Sequence, residues 1–325
     1  MINISVIILQ KNEALHIKRC LEKLAPLEPR QIFVVDCFST DGCNKTAAEM
    51  GAAVVQREWP GNQAAQFQWA LDNLPIESSW ILRLDADEYL TDELIEEVKD
   101  KLPRIEDDVD GVVLKRRHIV GWLNNCWVKR GIYPTKILRL FRKGYGRSDM
   151  KVMDGHIVVE RKVVEFDYDF VDHSLITFDE WREKHRNYAK REAQSYLSGE
   201  RSTGEKAAKK EAYYKLPRYF RALFYFCVRY FLKCGFLDGV AGWRWHFWQG
   251  LWYRWIVDRE IGRMKRKLVV DVNKLMDGDI VLTNEGWSFV SLLVRVLTLS
   301  RYSHAAIFVG GFVFDSTGDG VFTTK

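Results

Sequence analysis

Long apolar runs are missing from this 325-residue sequence. The apolar stretch nearest the N-terminus, Ile4 to Leu9, is too short for the core of a secretory signal peptide, and no charged residue precedes it. Arginines interrupt the most aromatic stretch, Tyr219 to Leu237, whereas a membrane-spanning helix needs about 20 mostly apolar residues. We therefore expect a chain that begins in the cytosol and does not span a membrane.

Paired cysteine motifs are missing as well. The six cysteines form no C-x-x-C pair, and no histidine stands at zinc-finger spacing from any of them. This pattern argues for reduced thiols and against a structural zinc site.

Charge is balanced overall but not along the chain. The net charge is +5, yet the segment from Glu205 to Lys267 holds fifteen Lys or Arg against five Asp or Glu. One segment is therefore strongly basic while the remainder is slightly acidic. The length allows two or three domains.

The first half alternates β-branched runs with helix-like stretches. The expected strands are Ile4–Leu9, Gln31–Val35, Ala53–Val55, Trp80–Leu84 and Val112–Leu114. The expected helices are one capped by Asn12 with Leu15, Cys20, Leu21 and Leu24 on one face, one from Asp41-Gly42 toward Met50, Asn62–Leu74 and Thr91–Leu102. Such β-α alternation predicts an α/β fold with a mostly parallel sheet, helices on both faces and ligands at the carboxyl ends of the strands.

Acids follow directly after the strand Trp80–Leu84. Asp85 and Asp87 can face one site with Ala86 turned away, because alternate residues of a strand share a face. Two oxygen ligands at a strand end suit a hard divalent cation with positions open for phosphate oxygens. The alternative is a solvated loop whose negative charges stabilise the N-terminus of the following helix, with Thr91 as the helix cap.

Several short motifs stand in a fixed order along the first half. They are Lys11-Asn12-Glu13, Val35-Asp36 with Ser39-Thr40-Asp41-Gly42, Gly61 with Gln66 and Ala70-Leu71, and Leu84-Asp85-Ala86-Asp87-Glu88. In this order they resemble a family 2 glycosyltransferase of the GT-A fold. The stretches Lys136–Lys143, Met153–Ile157 and Trp181–Ala193 resemble a bacterial polysaccharide- or lipopolysaccharide-assembly branch of that family, over roughly residues 1 to 262.

The resemblance implies a site for a nucleotide-sugar donor, and a UDP-sugar is the favoured donor. Asp36 would hydrogen-bond the base, and Glu13 would line the same pocket. Asp85 would face the ribose and diphosphate, and Asp87 would hold Mg²⁺ or Mn²⁺. The cation stabilises the negative charge that develops on a departing nucleoside diphosphate.

An inverting transfer also needs a carboxylate that accepts the proton of the acceptor hydroxyl. Asp154 is the candidate, although the branch more often reads Asp-Glu-His-Ile where this chain has Gly155, so another acid stays an alternative. His156 is either a metal or phosphate contact or a scaffold residue. Further cations, Lys115 to His118 with Arg139, Arg142 and Lys143, are expected near the cleft unless they form a solvated face.

Residues 216–256 combine aromatic and basic side chains. Trp243, Trp245, Trp248, Trp252 and Trp255 are interleaved with Arg244, His246 and Arg254, a pattern typical of helices lying in a membrane interface. A soluble aromatic core or an oligomer interface is the alternative. Nucleic acid is not expected as a partner, because the sheet domain offers no matching module.

The C-terminal stretch has a different character. Asp277-Gly278-Asp279-Ile280-Val281 and Tyr302-Ser303-His304-Ala305 resemble the first half of a circularly permuted papain-like domain of the NlpC/P60 group. In that fold a nucleophilic cysteine follows the histidine, but no cysteine follows Cys234. His304 is therefore expected to be vestigial, in a small incomplete α+β piece without hydrolase activity.

Three segments result: a GT-A domain at 1–197, a basic tryptophan-rich helical segment at 198–267 and a partial domain at 268–325. We expect a transferase peripheral to the inner face of the cytoplasmic membrane, acting on a glycan or a polyprenyl-diphosphate-linked acceptor. The alternatives are a thiol hydrolase or acyltransferase with a non-catalytic nucleotide-sugar-binding domain, and a non-enzymatic sugar-nucleotide scaffold.

Overall fold

The protein is represented by a computed structural model that describes residues 2–149, 156–198, 211–266, 275–283, 304–309, 312–317 and 320–324. The chain divides into two compact units, Met1–Met264 and Lys265–Lys325. Each unit is described by itself below. The boundary of the GT-A domain at residue 197 and the separate helical segment stay predictions.

The strands of the first unit lie mainly in one large sheet. Their bounds are β1 Ile2–Gln10, β2 Pro29–Asp36, β3 Ala53–Gln56, β4 Trp80–Asp85, β5 Glu88–Leu90, β6 Val109–Val120, β7 Cys126–Trp127, β8 Thr135–Arg142, β9 Arg147–Ser148, β10 Ile157–Val158 and β11 Lys162–Ser174. Short β9 and β10 pair only with each other.

Helices alternate with the first strands and then follow the sheet. Their bounds are α1 Ile17–Leu24, α2 Cys43–Glu49, α3 Gln63–Asn73, α4 Asp92–Lys101 and α5 Phe178–Leu197, and later the α-helices Phe220–Cys227, Gly239–Trp245 and Tyr253–Arg266. Two π-helical turns, Val228–Leu232 and His246–Trp252, and the 3-10 turn Gly235–Asp238 connect these later helices.

The sheet order is β3-β2-β1-β4-β8-β6-β11-β5, with β7 beside β6. Strands β1 to β4 are parallel to their neighbours within that group, while β8 runs antiparallel to both β4 and β6. One core packs α1, α2 and α4 against the sheet, and a second core packs Phe67 and Ala70 of α3 against it. Helices therefore cover both faces, as predicted for a mostly parallel sheet.

The predicted start of the first helix is wrong. Helix α1 begins at Ile17 after His16, and Leu15 is largely exposed. Asn12 instead has a left-handed backbone, with φ of 53°. Its side-chain oxygen accepts the Thr40 N–H at 3.0 Å and its own N–H donates to Ser39 Oγ at 2.8 Å, so Asn12 joins the loops after β1 and β2.

The cap predicted at Thr91 is present, and Asn62, the first residue of another predicted helix, is also a cap. The Asn62 side chain accepts the Ala65 N–H at 2.7 Å at the start of α3, and Thr91 accepts the Leu94 N–H at 3.2 Å at the start of α4. Each bond satisfies a backbone donor that the first helical turn leaves unpaired.

The helices after residue 220 pack onto α5 and the sheet loops. Ala189 and Ala193 of α5 share a core with Tyr253, Ile256, Val257 and Ile261. Among the described helices, none has a stretch both long and apolar enough to cross a bilayer.

Among its described residues, the second unit has the strands β12 Ile280–Thr283, β13 His304–Val309, β14 Phe312–Thr317 and β15 Gly320–Thr324. They pair antiparallel in sequence order, and His304 at the start of β13 lies opposite Thr283. The fold is thus an α/β domain followed by helices and a small C-terminal sheet.

Candidate active site

The carboxyl ends of neighbouring parallel strands bring the predicted acids together. Leu9 of β1 lies beside Asp85 of β4, and Gln10 lies beside Asp36 of β2. Glu13 follows three residues after Gln10. The sheet therefore collects these acids at one edge, where open α/β sheets bind ligands.

Asp85 and Asp87 lie as the strand alternation predicts. Ala86 is buried in the core, while both acids keep part of their surface exposed. The chain then turns directly into β5, whose Glu88 is buried and accepts the Asp85 N–H at 2.9 Å. Glu88 thus fixes the turn that presents the two acids.

Two arginines hold Asp85. Arg139 of β8 contacts Asp85 Oδ2 at 3.4 Å and also ion-pairs with Glu88, and Arg83 lies 3.7 Å from Asp85 Oδ1. Burial alone would raise the pKa of Asp85, but Arg139 and Arg83 lower it below its ordinary value. Asp85 is therefore an ionised carboxylate in a fixed position.

Asp87 has the opposite environment. Burial, then the charges of Asp172, Glu13 and Asp85, raises the pKa of Asp87 to about 7, although Lys184 acts against this shift. A carboxylate crowded by like charges gains most from a cation, and oxygen donors suit Mg²⁺ or Mn²⁺. The donor chemistry of Asp87 therefore fits a divalent cation, while Asp85 is already engaged by arginine.

The described residues do not complete a metal cage by themselves. Within the described ranges, no group of three or more His, Cys, Asp or Glu side chains is arranged to hold a metal ion. A cation at Asp87 would therefore need further ligands from water or from the phosphates of a bound donor, as is usual for Mg²⁺.

Asp172 of β11 is a member of the site that the sequence did not indicate. It lies between His118 of β6 and Glu88 of β5 in the sheet register. Its carboxylate is 3.3 Å from His118 Nδ1 and 3.4 Å from Arg116. Burial would raise the pKa of Asp172, yet His118 and then Arg116 keep it well below its usual range. No motif surrounds Asp172, and only the strand pairing could have revealed it.

Further contacts fasten β11 and α1 to the turn around Asp87, and Lys184 of α5 interacts electrostatically with the same acids. The His173 N–H donates to the Asp87 carbonyl oxygen at 3.0 Å, and Arg19 of α1 contacts the same oxygen at 3.4 Å. Although burial acts to lower it, the pKa of Lys184 on α5 is raised by Tyr188, Asp87, Glu13 and Asp172. Lys184 therefore supplies a positive charge that the crowded acids favour.

Glu13 is held by a histidine. Glu13 Oε2 lies 2.6 Å from His16 Nδ1, and the Leu175 N–H donates to His16 Nε2 at 2.9 Å. Since Nε2 accepts a hydrogen bond, Nδ1 carries the proton that His16 donates to Glu13. The loop after β1 is thereby connected to the segment after β11.

Asp36 is fully buried and accepts hydrogen bonds from its surroundings. The donors are Gln10 Nε2 at 3.2 Å, Ser39 N at 2.9 Å, Ser39 Oγ, Asn44 Nδ2 at 3.4 Å and Gln56 Nε2 at 3.2 Å. Three of these partners, Ser39, Asn44 and Gln56, also line an open depression of about 500 Å³. Asp36 thus organises the wall of this depression.

The predicted cations separate into two groups. Arg116, His118 and Arg139 contact the acids of the site, as described above. The expectation is wrong for Arg142 and Lys143, because β8 runs antiparallel to β4 and places Arg142 beside Trp80, at the opposite edge of the sheet. Arg142 Nε donates to the Val109 carbonyl oxygen at 2.8 Å, and Lys143 Nζ contacts that of Ile76.

Asp154, the predicted base, lies outside the described residues. His156 is within them, directly before β10, where its N–H donates to Asp149 Oδ1 at 2.9 Å. The roles predicted for both residues stay predictions.

The tryptophans divide between interior and surface. Trp245 is buried, with its ring 4.6 Å from the His118 ring and 6.1 Å from that of Trp181, and Trp248 and Trp252 pack onto the same cluster. Trp243 and Trp255 are exposed. Three of the five tryptophans thus form the aromatic core that was the alternative to a membrane interface.

Comparison with known proteins concerns the first half of the chain. The family model described as "Glycosyl transferase family 2" matches residues 5–165. Uncharacterized glycosyltransferases of Rickettsia felis and Rickettsia bellii are 36% and 35% identical over 96 residues, which are 30% of this chain. The aligned part is 32% and 31% of those proteins, so this chain spans about a third of the length of the curated relatives it matches.

Solved structures are similar over a comparable share. One is glucosyl-3-phosphoglycerate synthase from Mycobacterium tuberculosis in complex with Mn²⁺, UDP and glucosyl-3-phosphoglycerate, at 21% identity and a TM-score of 0.30, over 35% of this chain and 43% of that one. Another is mannosyl-3-phosphoglycerate synthase from Rubrobacter xylanophilus, at 22% identity and a TM-score of 0.30, over 35% and 39%.

Proposed function

We propose that the glycosyl transferase family 2 domain formed by residues 5–165 transfers a sugar from a nucleotide-activated donor, preferably a UDP-sugar, to a hydroxyl group of an acceptor. The transfer inverts the configuration at the sugar and depends on a divalent cation. The acceptor is a glycan or a polyprenyl-diphosphate-linked saccharide in the assembly of a cell-surface polysaccharide.

One observation carries the proposal: the contrast between Asp85 and Asp87 at a single strand end. Asp85 is held ionised by Arg139 and Arg83, whereas burial and then the like charges around it raise the pKa of Asp87 to about 7. The first arrangement positions a carboxylate, and the second leaves a carboxylate that gains from a cation. A bound nucleoside diphosphate with its metal ion would place the cation at Asp87 and the ribose and diphosphate beside Asp85.

Mg²⁺ or Mn²⁺ would be held by Asp87, and when bound it would stabilise the negative charge of the departing nucleoside diphosphate. Asp85 would orient the ribose and diphosphate from its arginine-fixed position. Lys184, whose pKa is raised by the charges of the same acids, would provide a cation of the chain's own for the phosphates.

The nucleotide base would occupy the depression lined by Ser39, Asn44 and Gln56. These side chains also donate to Asp36, so Asp36 would act on the base partly through them. Glu13, fixed by His16, would border the same pocket. The proton of the acceptor hydroxyl would pass to Asp154.

We further propose that the protein associates peripherally with the inner face of the cytoplasmic membrane through residues 216–256, which would bring a lipid-linked acceptor to the site. A thiol hydrolase is not favoured, because the family model that matches residues 5–165 is that of a glycosyl transferase.

The test is nucleotide release from UDP-, GDP- and dTDP-sugars with Mg²⁺ or Mn²⁺. We expect metal-dependent release from at least one donor, and its loss in Asp87→Ala. The matched control is Asp100→Ala, which removes an exposed acid on α4. Absence of metal-dependent release with every donor, or equal release by Asp87→Ala, would refute the proposal.

A further inference from the structure

The helical region exposes an unusual number of large apolar side chains. Within 24 residues, nine of them are about half exposed or more: Phe220, Leu223, Phe224, Phe231, Leu232, Phe236, Leu237, Val240 and Trp243. Leu232 is 77% exposed and Val240 75%. Monomeric soluble proteins rarely expose apolar patches of more than a few hundred Å². We call these nine residues the apolar face.

The apolar face is the outer side of helices whose inner side is packed. In the helix Phe220–Cys227, Leu223 and Phe224 are exposed, whereas Ala222 and Phe226 are buried. Arg221 points inward as well and ion-pairs with buried Asp258. The exposure therefore belongs to a well-anchored amphipathic surface and not to a loosely packed segment.

Charge around the face is almost entirely positive. Arg218, Lys233 and Arg244 are exposed, and within the described part of the chain none of them has an acid within ion-pair distance. The single acid between residues 212 and 257 is Asp238, whose Oδ2 accepts the Lys129 and Arg130 N–H groups at 2.8 and 2.7 Å. An apolar surface with a cationic border complements an anionic bilayer.

Two connections join this face to the acid site. Asp238, between Leu237 and Val240, anchors the loop at Lys129 and Arg130, which connects β7 to β8. Trp245, two residues after Trp243, packs its ring against that of His118 at a tilt of 47°, and His118 contacts Asp172 at 3.3 Å. The face is therefore held in a fixed relation to the acids around Asp87.

We infer that the apolar face, and not the buried tryptophan cluster, is the surface that inserts into the interface of an anionic lipid bilayer. The inference rests on the proposed membrane association and names its contact surface. The aromatic and aliphatic side chains enter at headgroup depth, while Arg218, Lys233 and Arg244 contact anionic headgroups. Docking then holds the acid site beside the membrane surface, where a lipid-linked acceptor is present.

The test is co-sedimentation of the full chain with vesicles of phosphatidylcholine, with and without phosphatidylglycerol. Wild type is expected to bind the anionic vesicles. Leu232→Glu and Leu237→Glu should each weaken that binding about tenfold or more. Each replacement removes an aliphatic group that would be buried in the bilayer and adds a charge that the anionic headgroups repel. Lys233→Gln should weaken binding severalfold, and only to vesicles that contain phosphatidylglycerol.

Val163→Glu is the matched control, since it places the same charge at an exposed aliphatic position on β11, outside the face. It should bind vesicles as wild type does. Circular dichroism and thermal unfolding show whether each variant is folded, and Trp243→Ala gives a milder second variant of the face.

Three results would overturn the inference: no binding of wild type to anionic vesicles, equal binding by the Leu232→Glu and Leu237→Glu variants, or a concentration-dependent dimer that Leu232→Glu dissociates while wild type ignores vesicles. The last result would assign the face to a second copy of the chain. Donor hydrolysis without vesicles reports on the transferase chemistry separately, so failure of one proposal is distinguishable from failure of the other.

Discussion

Two regions of the first unit handle buried acids in opposite ways. Among the later helices, Asp258 accepts from Arg221 and from the Tyr219 N–H at 2.7 Å, and Glu192 accepts from Tyr253, Tyr214 and Arg254. At the carboxyl edge of the sheet, Asp87 is instead crowded by Asp172, Glu13 and Asp85. Acids paired with arginine or tyrosine belong to the scaffold, whereas mutually repelling carboxylates are stabilised when a cation binds.

The scaffold side of this comparison gives the largest expected effect on stability. Arg221→Ala leaves the buried Asp258 carboxylate without its ion partner, and removing one member of a buried pair costs about 3–5 kcal/mol. Urea unfolding followed by circular dichroism measures this free energy.

The control is the double replacement Arg221→Met with Asp258→Leu, which removes both charges. Apolar pairs of similar volume often match a buried ion pair in stability. A loss in the double variant as large as in Arg221→Ala would mean that packing, and not the unpaired charge, decides the cost.

For Asp87 in the acid site we expect a replacement to increase the stability of the metal-free protein and to cause a large loss of activity. Asp87→Asn should lower metal-dependent nucleotide release at least about hundredfold, because stabilisation of developing charge is a large part of catalysis. In chelator at pH 8 the same variant should be more stable than wild type, since it removes a repelled charge.

The sign follows from the pKa of Asp87, raised to about 7 in the folded state from its ordinary value of 3.8. Between these values the folded state binds more protons than the unfolded state, so wild-type stability falls as pH rises through this window. The advantage of Asp87→Asn should therefore shrink on acidification to about pH 4. Thermal unfolding across pH checks it, and a variant less stable than wild type at pH 8 would contradict the account.

The strand pattern predicted much of this edge because its physical basis is local. A run such as Trp80–Leu84 fixes the alternation of Asp85, Ala86 and Asp87, and parallel strands bring the ends of β1, β2 and β4 to one side. Those inferences need only neighbours in sequence and a common sheet direction. The register of β1, β2 and β4 confirms their common edge, whereas the roles of the acids stay predictions.

The remainder depends on contacts between residues distant in sequence. Asp172 enters the site only because β11 inserts between β6 and β5. Arg142 lies at the opposite edge of the sheet from the site because β8 runs antiparallel to β4. Asn12 hydrogen-bonds two loops together instead of capping a helix. Sequence periodicity contains no information about strand order, so these outcomes could not be predicted from it.

A smaller effect is expected from Asp172→Asn. Asp172 contributes the largest like-charge influence on Asp87, so its neutralisation should lower the pKa of Asp87. The acid limb of the pH profile of nucleotide release should then shift to lower pH. Asp167→Asn, at an exposed acid of the same strand, is the control. An unshifted limb would remove Asp172 from the electrostatics of the site.

The smallest effect is expected where acids are exposed and paired. Lys45→Ala breaks a surface pair with Glu49 at 3.8 Å on α2, and such helical pairs contribute about 0.3–0.5 kcal/mol. Urea unfolding should show a change within that range. A loss approaching that of Arg221→Ala would undermine the distinction between buried and exposed pairs.

The central claim is that Asp87 is a cation ligand at the edge of the sheet. Electron paramagnetic resonance of Mn²⁺ titrated into the protein in the presence of UDP measures this binding directly, without any turnover. The account predicts that wild type binds Mn²⁺, that Asp85→Asn keeps part of the affinity and that Asp87→Asn loses it. Equal Mn²⁺ affinity in wild type and Asp87→Asn would contradict it.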